Sequence, residues 1–126
     1  MISPEVRGVY VADVGDDKKL GKHRATKHCV CVSVGGGQYL LINTRQNSEY
    51  DDFKILASNY DFLDGEDRWL GCVALIARRA EKLLRKVGEL NDADAKTVYE
   101  KIRASQKISA DEKNRVLPEL WATFKA

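Results

Sequence analysis

Hydrophobic and polar positions alternate over short runs in the first half of the chain, a pattern typical of half-buried β-strands. The alternating runs are RGVYVADV (7–14), HCVCVSV (28–34), QYLLINT (38–44) and FKIL (53–56), and the apolar run WLGCVALI (69–76) predicts one more buried strand. The segment GDDKKLGK (15–22) is predicted as a charged loop, and the three glycines at 35–37 as a turn. Residues 28–44 are therefore predicted to form an antiparallel hairpin.

Helical spacing replaces this alternation from about residue 77. A helix is predicted over 77–87, ending at Gly88, with the inner positions Ala80, Leu83, Leu84 and Val87. Asn91 caps a second predicted helix, roughly 92–104, whose inner positions are Ala95, Val98 and Ile102.

A third helix is predicted to begin at a capping box formed by Ser109 and Glu112. Its apolar positions lie on both sides of Pro118, where we expect a kink or a break because proline cannot donate a helical hydrogen bond. Strands followed by helices predict an α+β domain, with a small sheet or barrel over about 5–76 and a helical part over about 77–126.

Composition fits one ordinary domain, because the 126 residues are 44% hydrophobic and 32% charged. No run approaches the roughly 20 apolar residues of a membrane span, and the start MISPEVRG lacks a signal-peptide pattern. We therefore expect a cytoplasmic protein without membrane contact. The three cysteines form no CxxC pattern, which predicts reduced, buried thiols rather than disulfides or zinc, and no cofactor is expected.

Charge is unevenly distributed, although the net charge is only +2. Basic residues gather at 18–28 and 78–86, whereas 49–67 is mainly acidic. The first basic stretch contains both histidines and five candidate site residues, Lys22, His23, Arg24, Lys27 and His28. Lysine and arginine neutralise phosphate, and histidine exchanges a proton near neutral pH, so this stretch has the groups that metal-free phosphodiester cleavage needs. A solvated basic loop without chemistry is the alternative.

The predicted hairpin brings a second set of polar residues to the same place. If 28–34 pairs with 38–44 across the glycine turn, Thr44 and Arg45 lie near Lys27 and His28. A hydroxyl and a guanidinium then join the basic cluster, and plain strand-end residues are the alternative.

A third candidate is a basic stripe on the predicted helix, formed by Arg78, Arg79, Lys82, Arg85 and Lys86. Spacings of three and four put these residues on one helical face, opposite the leucines. Such a stripe can follow a nucleic-acid backbone or contact an acidic partner, or it can be an ordinary solvated face.

The order of these features resembles the MazF/PemK family of toxin endoribonucleases over about 7–104. The resemblance is carried by the first strand, the charged loop ending in a basic residue, HCVCVSV, YLLINT and ALIARRAEKLLRKVGELNDADAKTVYEKI. It implies a small SH3-like antiparallel β-barrel with appended helices, related in fold to the gyrase-poisoning toxin CcdB and usually dimeric. The predicted helix from 109 onward has no counterpart in it.

The resemblance also implies an activity, which is metal-independent cleavage of single-stranded RNA that leaves a 2′,3′-cyclic phosphate, in a protein held inactive by an antitoxin. The family's catalytic arginine falls on Arg24 and its hydroxyl on Thr44. Arg24 is followed by Ala25 rather than the family's proline, and strict spacing assigns the arginine's place to Lys27 or His28 instead.

Two hypotheses follow from the sequence. The first is an endoribonuclease of a toxin–antitoxin or phage-related system, with Arg24 and Lys27 stabilising the phosphorane, His28 or His23 carrying the proton and Thr44 positioning the phosphate. Lys22, Arg45, Arg78, Arg79 and Lys82 would bind substrate. The second is a non-catalytic module of the same fold that binds nucleic acid or a host protein such as gyrase.

Overall fold

The computed structural model describes residues 2–17 and 22–124, and the side chains of 14–17, 22–25 and 74 lie outside its described part. Its strands are β1 (Gly8–Asp17), β2 (Lys22–Ser33), β3 (Gln38–Asn43), β4 (Phe53–Ile55), β5 (Arg68–Ala77) and β6 (Leu83–Glu89). Two helices follow, α1 (Asp92–Ala104) and α2 (Ala110–Ala122). The predicted α+β class is confirmed.

The six strands form one antiparallel sheet in the order β4-β5-β3-β2-β1-β6. Within the described residues, no backbone pairing joins the two outer strands β4 and β6, so the sheet is not closed into a barrel. The coarser prediction of a small antiparallel sheet with C-terminal helices therefore holds, and the SH3-like barrel over 5–76 is not confirmed.

Both faces of the central strands are buried. One face packs against the helices in a core that includes Val30, Val32 and Leu40 of the sheet, Val98 of α1 and Leu120 of α2. The opposite face carries a second buried cluster with the members Tyr10, Ala12, Cys29, Cys31, Tyr39 and Leu83. All three cysteines are free and buried, as predicted. Burial raises the pKa of the Cys31 thiol to about 11, so this thiol stays protonated at neutral pH.

The predicted hairpin is confirmed, with Cys29 opposite Leu41 and Val30 opposite Leu40 across a turn at 34–37. Its first strand is longer than predicted. Of the loop predicted over 15–22, residues 15–17 belong to β1 and Lys22 begins β2, whereas 18–21 lie outside the described residues. Residues 22–27 are strand because β1 runs on to Asp17 and supplies pairing partners such as Ala12 for Lys27. Thr26 and Lys27 are exposed there, so backbone pairing rather than burial holds this part of β2.

The predicted helix over 77–87 is wrong. Ala80–Lys82 form a single 3₁₀ turn, and Leu83–Glu89 form the edge strand β6, which pairs with β1. The segment has good helix formers, but the free edge of β1 needs hydrogen-bond partners and Leu83 fills the second buried cluster. Of the other predicted inner positions, Leu84 is 54% exposed, as its place on an edge strand allows.

The two remaining helices are confirmed. Asn91 caps α1 by accepting from the Asp94 amide at 2.8 Å, and the inner positions Ala95, Val98 and Ile102 are buried. The capping box of Ser109 and Glu112 begins α2, and this helix continues through Pro118 to Ala122 without the predicted break. No helix in the described part of the chain is long and apolar enough to cross a membrane.

Candidate active site at the open end of the hairpin

A cleft of about 860 Å³ lies at the end of the β2–β3 hairpin opposite its turn. Four residues predicted from the sequence, Lys27, His28, Thr44 and Arg45, line it together. The rest of its lining comes from Thr26, Ile42, Asn43, Gln46, Asn47, Ser48, Tyr50, Phe62, Leu63, Asp64 and Arg68. The convergence expected from the hairpin register is thus present.

The register of the hairpin explains this convergence. Because Cys29 pairs with Leu41, continuing the antiparallel pairing by two residues brings Lys27 beside Asn43. The Lys27 ammonium Nζ donates to Asn43 Oδ1 at 3.0 Å. Thr44 and Arg45 follow directly, and both are exposed where the chain leaves the sheet.

A short 3₁₀ segment, Ser48–Tyr50, forms the next wall of the cleft. Asn47 begins it, with the side-chain Oδ1 accepting from the Glu49 amide at 3.0 Å. The Asp52 carboxylate accepts from the Asn47 amide at 2.7 Å and closes the loop on itself. These local bonds fix the conformation of the loop, so the cleft has a defined wall.

His28 stands against an aromatic ring on the other side. Its imidazole stacks on Phe62, with the ring centroids 5.7 Å apart and an interplanar angle of 27°. The Phe62 ring packs against the backbone of β6 at Gly88. A Cβ added at Gly88 would come within 2.9 Å of this ring. Because Gly88 has no side chain, β6 leaves room for the Phe62 ring, and this ring orients His28.

The surroundings of His28 favour its neutral form. Burial lowers its pKa, the positive charges of Arg85 and Arg68 lower it further, and the Asp64 carboxylate opposes them. The imidazole is half-buried rather than sealed off, so one side still reaches the cleft. A neutral imidazole at physiological pH can accept a proton from a hydroxyl group, which is the task of a general base.

Of the other predicted site residues, Arg78, Arg79 and Lys82 do not line this cleft. The side chains of Lys22, His23 and Arg24 lie outside the described part of the structure, although their backbone belongs to β2. Arg78 lies at the far end of the sheet, where its amide donates to the Gly37 carbonyl at 3.0 Å. Arg79 and Lys82 are exposed beside it.

The prediction of a basic stripe is thus wrong, because it assumed that these residues lie on one helix. In the strand geometry, Arg78 and Arg79 precede the 3₁₀ turn and Lys82 ends it, so they share no helical face. Arg78 donates to the Ala77 carbonyl at 2.8 Å, and Arg79 lies 3.8 Å from the Glu81 carboxylate. These arginines stay near their own chain segment and contribute nothing to the cleft.

Sequence reasoning did not select Phe62 or Arg68 as site residues. Phe62 comes from a loop rich in turn residues, and nothing local distinguishes it. Arg68 directly precedes the predicted strand over 69–76, so a search for cations at strand ends would select it. Arg85 belongs to the predicted basic stripe, but the helical interpretation placed it on the wrong element.

A scan against protein-family models and a search of curated proteins gave no match to this chain.

Proposed function

We propose that this protein is a metal-independent endoribonuclease that cleaves single-stranded RNA in the cleft at the open end of the hairpin. The observation that carries the proposal is the convergence of Lys27, His28, Thr44 and Arg45 from two neighbouring strands on one cleft of about 860 Å³. These residues supply a base, a hydroxyl and two cations, which RNA cleavage through its own 2′-hydroxyl requires.

The reaction follows from the chemistry of these groups. Neutral His28 takes the proton of the 2′-hydroxyl, and O2′ then attacks the adjacent phosphorus. The P–O5′ bond breaks, the 5′-oxygen leaves with a proton from solvent, and a 2′,3′-cyclic phosphate remains. Lys27 and Arg45 offset the charge that develops on the phosphorus oxygens, and Thr44 donates a hydrogen bond that positions the phosphate.

The resemblance of the sequence to the MazF/PemK toxins supports the wider proposal of a cytoplasmic, dimeric toxin controlled by an antitoxin. The barrel of that family would correspond here to a six-stranded sheet that is not closed. This wider proposal predicts growth arrest when the chain is expressed without an inhibitor.

The test is incubation of the purified chain with a single-stranded RNA in the presence of EDTA, followed by analysis of the product ends. We expect cleavage with 2′,3′-cyclic phosphate ends, and its loss in His28→Ala. An intact RNA after long incubation with folded protein would contradict the proposal. Binding of RNA without any cut would instead support a non-catalytic nucleic-acid-binding module.

A further inference from the structure

Two arginines lie beside His28 without a part in the reaction as written. His28 of β2 and Arg85 of β6 both pair with Val11 of β1, one on each side of it. Residues that pair laterally on neighbouring strands point to the same face of a sheet. The imidazole and the Arg85 guanidinium therefore stand on one face, with their Cα atoms about 10 Å apart across two strand spacings.

Arg68 approaches the same place from β5 on the other side. Its side chain lines the cleft and is 26% exposed. One terminal nitrogen, Nη1, donates to the Glu66 carboxylate at 2.7 Å and to the Asp67 carbonyl at 3.3 Å, and Glu66 itself is 71% exposed to solvent. Since a guanidinium carries five N–H donors, these two bonds leave the donors of Nε and Nη2 available to a ligand.

Arg85 is the less engaged of the two. It is exposed, and its side chain forms no hydrogen bond or ion pair with any backbone group or side chain that the structure describes. The neighbouring residue Lys86, by contrast, pairs with Glu5 at 2.9 Å and with Glu89 at 2.8 Å. The acidic side chains of Glu5 and Glu89 are thus near β6, but they pair with Lys86 and not with Arg85.

The charges facing His28 are predominantly positive. Arg85 of β6 and Arg68 at the start of β5 both act on its imidazole, and Lys27 and Arg45 line the same cleft. Asp64, after the 3₁₀ turn Asp61–Leu63, is the acidic group that raises the pKa of His28. An excess of cations around a half-buried imidazole is unfavourable in the empty cleft and becomes favourable when an anion is bound.

We propose that Arg68, Arg85 and His28 form a binding site for a phosphate group, and that a phosphate bound there makes His28 a stronger base. Arginine is suited to this role because its planar fork donates two parallel hydrogen bonds to phosphate oxygens. A protonated imidazole adds a further charged donor. The site accepts a free phosphate or the phosphate of a nucleotide chain, which share this chemistry.

This inference deepens the proposed function, on which it rests for the identity of the natural ligand. The coupling follows from linkage, since a bound anion offsets the two arginine charges and attracts a proton to His28. Reciprocally, phosphate binds more tightly as pH falls. The second phosphate of an RNA strand, held here next to the scissile one, would place the nucleic acid along the cleft.

The test is an NMR titration of the His28 imidazole against pH in a His23→Gln background, which leaves a single histidine signal. We expect inorganic phosphate to raise the His28 pKa relative to chloride at equal ionic strength. Arg85→Gln and Arg68→Gln should each weaken phosphate binding by roughly tenfold, as expected for a lost charge-assisted hydrogen bond. Arg79→Gln, an exposed arginine at the far end of the sheet, is the matched control and should leave binding unchanged.

Two outcomes would overturn the inference: a His28 pKa that neither inorganic phosphate nor a strand phosphate moves, or an equal loss of binding in the Arg79 variant. A 2′-deoxy oligonucleotide, which cannot be cleaved, is the second probe. If it raises the His28 pKa and inorganic phosphate does not, the site is specific for a phosphate within a strand. None of these readings requires cleavage, so a protein that binds phosphate here and cuts no RNA would refute the proposed function and leave this inference standing.

Discussion

The two ends of the β2–β3 hairpin use polar groups in opposite ways. At the turn end, the carboxylate of Glu119 in α2 accepts hydrogen bonds from the buried Ser33 hydroxyl, from the Val34 amide at 2.9 Å and from the Gly35 amide at 3.3 Å. At the open end, Lys27, His28 and Arg45 converge on a cleft filled by no part of the described chain.

This difference separates structure from function. A carboxylate whose oxygens are taken by the chain's own donors stabilises the fold and has little left for a ligand. Cations gathered beside a neutral base gain little for the fold, and they are arranged for an anion from outside. Substitutions at the turn end should therefore change stability, and those at the open end should change activity.

A large difference in activity is expected between two exposed arginines at opposite ends of the sheet. Arg45→Gln removes a cation from the cleft and should reduce the rate of RNA cleavage by about 10²-fold, the typical effect of losing one group that stabilises transition-state charge. Arg79→Gln, matched in exposure and chemistry, should leave the rate unchanged. Both should change the free energy of unfolding by less than about 0.5 kcal/mol. Equal rates for the two variants would remove the distinction between the ends.

The next effect lies at the turn end. Glu119→Ala leaves the fully buried Ser33 hydroxyl and two amides without their acceptor, so the free energy of unfolding should fall by about 2–3 kcal/mol. Denaturant unfolding measures the loss, and the cleavage rate per folded molecule should stay at the wild-type value. A drop in that rate with stability intact would show that the turn end takes part in function.

A smaller effect tests how the cleft end is supported from β6. Gly88→Ala puts a Cβ within 2.9 Å of the Phe62 ring, so we expect a loss of about 1–2 kcal/mol in stability as the ring is displaced. With less shielding by Phe62, the pKa of His28 should rise toward its ordinary value, which NMR measures. Gly35→Ala is the matched control, because its added Cβ meets nothing closer than 3.7 Å. If Gly88→Ala and Gly35→Ala had the same stability and the same His28 pKa, Phe62 would not hold His28.

The smallest effect is the pH dependence of stability. The pKa of His28 is lowered in the folded protein, so the unfolded chain binds this proton more tightly. Stability should therefore decline as pH falls through the ordinary histidine value of about 6.5, and His28→Gln should flatten that part of the profile. Subtracting the two unfolding curves isolates the contribution of His28. If the stability contribution of His28 increased on acidification, the predicted direction would be wrong.

The hairpin and the two helices were predictable because their signals are local. Alternation marks β2 and β3, glycines mark their turn, and Asn91 and Ser109 mark the helix starts. The convergence of Lys27 and His28 with Thr44 and Arg45 followed from the register of a single hairpin. The same reasoning could not extend further, because a hairpin register says nothing about elements distant in sequence.

The segment that forms β6 could not be predicted from local signals. Its local preference is helical, and it is a strand because the distant edge of β1 needs pairing partners and Leu83 completes a buried cluster. Arg85 reaches the neighbourhood of His28 through that long-range pairing, and Phe62 does so through its contact with Gly88. Both depend on tertiary contacts, so no window of sequence around either residue could have revealed them.

The division of roles between the two ends of the hairpin is best measured in one matched pair, His28→Gln and Glu119→Gln, as the RNA cleavage rate in EDTA with unfolding measured on the same samples. We expect His28→Gln to cut about 10²- to 10⁴-fold more slowly with nearly wild-type stability. Glu119→Gln should lose about 1 kcal/mol of stability and cut at the wild-type rate. If the rates of both variants fell only in proportion to their folded fraction, this division would be wrong.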